Sequence, residues 1–135
     1  MLDPSYRKLP ACRAAMRLVR AIYALTNHFP ADEKSGLTAT LKRAATSLPT
    51  KFAESHTQTD PVAYRKALTT AEATLRDLAA YLDVAEKLRM TSRRRFRAPR
   101  RRAHKVATNL AAMLDLADDE DARGPRLSWF ARLSA

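Results

Sequence analysis

"LTTAEATLRDLAAYLDVA", residues 68–85, decides the fold. Its residues Leu68, Ala71, Leu75, Leu78, Leu82 and Ala85 alternate steps of three and four. That spacing lays them along one stripe of an α-helix, as in the seam of a left-handed bundle, and is foreign to the two-residue period of a strand. The helix is predicted over 61–89, with Asp60 as N-cap and Pro61 at its first position, where a missing N–H costs nothing.

Working outward, Leu37, Leu41, Ala44, Ala45, Leu48 and Phe52 give a second helical stripe across 37–55. Pro49 falls inside it and predicts a kink or a break there. Upstream, Ala15, Leu18, Ile22, Leu25 and Phe29 mark a helix over 11–29 that Pro30 stops, and Val19 and Tyr23 widen its apolar face. Downstream, Val106, Leu110, Met113 and Ala117 mark a fourth helix over 98–118. Pro99 suits an early helical turn, so the arginines around it straddle a loop and the first turns of that helix.

The chain of 135 residues has 46% apolar residues and only two glycines, which favours helices and leaves little material for hairpins. Four amphipathic helices on short connectors predict an all-α fold, an antiparallel up-down four-helix bundle over 1–118. Residues 119–135 form an acidic linker and a tail in which Leu127, Trp129 and Phe130 are candidates for a partner contact.

The formal net charge is +11 and is unevenly spread. "RRRFRAPRRR", residues 93–102, holds seven arginines, and residues 91–105 carry eight Lys/Arg without one carboxylate. The other 120 residues are nearly balanced, with 17 basic and 14 acidic groups. Such a concentration points to an anionic polymer, because guanidinium forks pair with phosphates and each neutralised phosphate releases counterions. The candidate nucleic-acid-binding residues are Arg93, Arg94, Arg95, Phe96, Arg97, Arg100, Arg101, Arg102 and Lys105. Phe96 is assigned to stacking on an unpaired base, which would favour RNA over duplex DNA.

Other chemistry has little to stand on. Cys12 is the only cysteine, which excludes an intrachain disulfide and a cysteine-based zinc site and fits a reducing, cytoplasmic setting. His28, His56 and His104 lack a second ligand at metal spacing, and "DDED" at 118–121 points its acids in different directions, so no metal or cofactor is expected. No phosphate loop or nucleophile motif is present, and the expectation is a protein that is not an enzyme. No apolar run is long enough to span a membrane. Arg43 reads as a structural ion-pair partner for Glu54 or Glu33.

Residues 18–54, "LVRAIYALTNHFPADEKSGLTATLKRAATSLPTKFAE", carry a more specific pattern. Tyr23, Leu25, Thr26, Phe29, Pro30, Glu33, Gly36, Leu37, Thr38, Arg43, Ala44, Ala45, Ser47, Pro49, Ala53 and Glu54 match it, and the register continues through Ala71, Leu75, Leu78, Leu82, Ala85 and Leu88. Over about residues 12–117 the chain resembles the bacterial four-helix-bundle family found as reading frames within intervening sequences of large-subunit ribosomal RNA genes. It departs from that pattern at Cys12, Thr40, Lys51, Ser55, Ala73, Thr74 and Tyr81, and the arginine run lies outside it. The same fold family includes Avd, the accessory variability determinant of diversity-generating retroelements. That resemblance implies a homopentameric barrel that binds template RNA and a reverse transcriptase. The expected function is therefore a non-catalytic, RNA-preferring accessory protein of the Avd kind. The alternative is a structural or protein-interaction module of the intervening-sequence type, with no physiological nucleic-acid ligand.

Overall fold

In the computed structural model, which describes residues 4–117, four helices carry the chain: α1 (Pro10–Thr26), α2 (Leu37–His56), α3 (Pro61–Lys87) and α4 (Arg97–Ala117). Short 3-10 turns at Pro4–Lys8, Ala31–Glu33 and Arg93–Phe96 precede α1, α2 and α4, and no strand occurs among the described residues. Helix α1 packs on α2 and α4, and α3 packs on the same two, so the elements form a four-helix bundle around one core. All six stripe residues of α3 are fully buried, as are Leu18, Ile22, Leu41, Leu48, Phe52, Val106 and Leu110.

Local chemistry sets the helix ends. The Asp60 carboxylate accepts from the Ala63 N–H at 3.1 Å, and Pro61 opens α3. At the start of α2 a Glu33 carboxylate oxygen accepts from the Leu37 N–H at 3.3 Å. A methyl group on Gly36 would come within 2.8 Å of that same oxygen, so the glycine leaves room for the capping carboxylate. Helix α3 ends in a Schellman motif: the Met90 N–H reaches the Ala85 carbonyl at 3.1 Å and the Arg89 N–H reaches Glu86 at 3.0 Å. Arg89 occupies the left-handed position of that motif, with φ 55°.

Two expectations are narrowed. Helix α1 stops at Thr26, because the N–H groups of His28 and Phe29 turn to carbonyls three residues back, yet Phe29 still packs into the core. Of the kink or break expected at Pro49, the break does not occur, and α2 runs on to His56. The proline leaves the Ala45 carbonyl without its usual helical donor.

Candidate nucleic-acid interface

The arginine run folds into two pieces. Arg93–Phe96 makes a 3-10 turn and α4 begins at Arg97, with Pro99 in its first turn, where N–H groups have no intrahelical acceptor. Contacts fix which ends of the chain meet here. Arg95 Nη1 lies 2.9 Å from His28 Nε2, beyond the end of α1, and Arg100 reaches the end of α3.

This packing divides the candidate residues. Phe96 is 1% exposed and its ring sits 6.2 Å from that of Phe29, tilted by 35°. The sequence-based assignment of Phe96 to base stacking is therefore corrected: it is a core residue that anchors the start of α4. Arg100 is also withdrawn from the open surface, its side chain 13% exposed. Its guanidinium donates to Asp83 Oδ1 at 2.9 Å and to Glu86 Oε1 at 3.4 Å, joining α4 to α3. Arg102 is half-buried, whereas Arg93, Arg94, Arg95, Arg97, Arg101 and Lys105 are exposed.

Arg97, Arg101 and Lys105 recur every four residues on α4 and form one exposed row. At 1.5 Å per residue the row is about 12 Å long. Arg94 is exposed on the preceding turn, and no carboxylate occurs in the sequence between Glu86 and Asp115. What remains of the run is a narrow cationic stripe suited to phosphates, without an aromatic platform of its own.

A second basic row escaped the sequence reading. Arg13, Arg17 and Arg20 stand exposed along α1 at steps of four and three. The available signal was the absence of any carboxylate between Asp3 and Asp32. On α2, Arg43 is exposed and makes no ion pair with Glu33 or Glu54 among the described residues. Its expected structural pairing is corrected accordingly, since Glu33 is occupied at the helix start. Lys42 instead places its ammonium 4.7 Å from the centre of the Tyr23 ring, a cation–π contact between α1 and α2.

Among the described residues no group of three His, Cys, Asp or Glu side chains is placed to hold a metal ion, and no helix is long and apolar enough to cross a membrane. Leu127, Trp129, Phe130 and the "DDED" segment lie outside the described residues. Cys12 is buried, and burial pushes its thiol up from the ordinary value.

No curated protein matches the chain. A family model described as 23S rRNA-intervening sequence protein matches residues 7–112, a span that begins before α1 and ends within α4. With a four-helix bundle over the same residues, the chain belongs to the 23S rRNA-intervening sequence protein family.

Proposed function

We propose that this protein is a non-catalytic, RNA-preferring accessory protein whose working surface is the cationic stripe on α4. One observation carries the reading: Arg97, Arg101 and Lys105 share an exposed face of α4 in a stretch that holds no carboxylate from 87 to 114. Phosphates are the ligands such a row neutralises best, and binding through them reads a backbone rather than a sequence. The helices alternate in direction in this reading, which the short connectors and the Arg95–His28 contact support. Five copies in a ring would repeat the stripe five times and raise avidity without a stronger single contact. The pentamer and a reverse transcriptase partner rest on the fold-level resemblance to Avd, and a cytoplasmic setting on the lone, buried Cys12.

The test is a salt titration of binding to a single-stranded RNA and to a duplex DNA of equal length. Arg97→Gln, Arg101→Gln and Lys105→Gln combined should reduce the slope of log affinity against log salt by about 2 to 3, with the oligomer unchanged by light scattering. An unchanged slope would remove α4 as the contact surface. Membership of this family is equally compatible with a second reading, a protein-interaction module without a nucleic-acid ligand. Weak binding that is indifferent to the polymer would select it.

A further inference from the structure

The second basic row borders an open groove of about 550 Å³ between the first 3-10 turn, α1 and the second half of α2. Tyr6, Cys12, Met16, Pro49 and Ala53 give its lining an apolar component, and Arg7, Arg13, Arg17, Arg20 and Thr50 a polar one. No carboxylate lines it. Arg13, Arg17 and Arg20 make no ion pair among the described residues, and Met16 stands 50% exposed beside them. Arg7 stands 5.9 Å from the centre of the Tyr6 ring, which leaves three arginines beside an apolar cleft without a counter-charge, and the size lies within the range of small-molecule sites.

We propose that this groove is a nucleotide subsite, taking a planar base against Met16, Pro49 and Tyr6 and its phosphate on Arg13, Arg17 and Arg20. The chemistry favours such a ligand for two reasons. A simple anion would use the arginines and leave the apolar side wet, whereas a purely apolar ligand would have to desolvate the guanidinium groups beside it. A nucleotide satisfies both halves at once, and an arginine plane can itself stack on the base. Pro49 contributes by its ring and by interrupting the hydrogen-bond ladder where α2 lines the cleft. The ligand is either a free nucleotide or one unit of a single strand; the strand-bound form rests on the RNA reading above, while the free form does not.

The experiment is calorimetric titration of the full chain with AMP, adenosine and inorganic phosphate, and with a single-stranded oligonucleotide. Thr50→Trp fills the groove from an exposed position, Met16→Glu places a carboxylate among the arginines, and Arg17→Gln with Arg20→Gln removes phosphate donors. Circular dichroism confirms that each variant folds. The result expected for a free nucleotide is saturable AMP binding, with adenosine and phosphate each at least about tenfold weaker and all three groove variants losing about tenfold. The stripe variant on α4 should leave AMP affinity unchanged, so the groove and the α4 reading can fail separately. Loss of oligonucleotide affinity in the groove variants without measurable AMP binding would assign the site to a nucleotide within a strand. Groove variants that alter neither AMP nor oligonucleotide binding would overturn the proposal. So would phosphate binding as tightly as AMP, or an acidic peptide occupying the groove when neither nucleotide form does.

Discussion

The ring of Phe96 packs 6.2 Å from that of Phe29, so a residue embedded in the arginine run fastens the turn before α4 to the turn that follows α1. Replacing Phe96 with alanine should cost about 3–5 kcal/mol, the usual range for removing a buried aromatic. That is a large share of a single domain's total stability of roughly 5–15 kcal/mol. Denaturant unfolding should show the loss, and Phe96→Leu should recover most of it. A Phe96→Ala variant with unchanged unfolding but weakened RNA binding would return the residue to the surface.

Arg100 differs from its neighbours in the run because it faces two carboxylates, Asp83 at 2.9 Å and Glu86 at 3.4 Å. Asp83 is 67% exposed, so solvent screens that half of the pair and the whole contribution is put at about 1 kcal/mol. Arg100→Gln should lower the unfolding free energy by that amount and change the salt dependence of RNA binding little. Arg101→Gln should do the reverse, with stability altered by less than about 0.5 kcal/mol. Equal effects of the two substitutions on binding would mean that Arg100 leaves its carboxylates when the polymer arrives.

The contrast between these arginines marks how far the sequence could be read. The bundle was legible because Leu68 to Ala85 and the parallel stripes keep one period throughout, and burial follows that period. Charge alone does not say where a side chain points. Arg100 and Arg101 are adjacent letters but sit about 100° apart on the helix, so one meets α3 and the other meets solvent. The Asp60 cap was visible as a motif, whereas the Glu33 cap was not, because its carboxylate folds over Gly36 from a separate turn. The groove was invisible for a related reason: its two walls are separated in sequence by the connector between α1 and α2.

At the end of α3, Arg89 holds a left-handed backbone with φ 55°, a conformation in which a side chain crowds its own carbonyl. Both Schellman hydrogen bonds run through this corner, so the chain cannot relax out of it without freeing them. Arg89→Gly should therefore stabilise the protein by about 0.5–1 kcal/mol, the strain relieved being partly offset by the added freedom of the unfolded glycine. Thermal unfolding of the two proteins side by side checks the sign. A destabilised glycine variant would show that the arginine side chain makes a compensating contact.

At the start of α2, Glu33 and Gly36 act together, since the carboxylate that accepts from Leu37 occupies the space where an alanine methyl would sit. Glu33→Ala should cost about 0.5–1 kcal/mol as a lost cap, at the lower end of the range because the hydrogen bond is long at 3.3 Å. Gly36→Ala should cost a similar amount in the native background by displacing the carboxylate. In the Glu33→Ala background the clash disappears, and Gly36→Ala should then be neutral or mildly stabilising. Additive losses in the double variant would contradict the coupling.

Cys12 lines the groove from the core side, and burial pushes its thiol above the ordinary value. Folding therefore favours the protonated form, and the sign of the linkage follows. The thiol's contribution is complete below the unfolded thiol's pKa and declines as pH rises from there through the folded value. The loss belongs to alkaline solution, with none on the acid side. Tyr64 shifts in the same direction for the same reason, so the two contributions must be separated by substitution. Stability measured from neutral to alkaline pH should fall less steeply in Cys12→Ala than in the parent, with the remaining slope carrying Tyr64. The buried thiol should also react with a maleimide at least about tenfold more slowly in the native protein than in urea, because only the thiolate attacks and it must reach the reagent. Rapid native labelling would mean that the groove opens down to the core, and the pH dependence attributed to Cys12 would vanish with it.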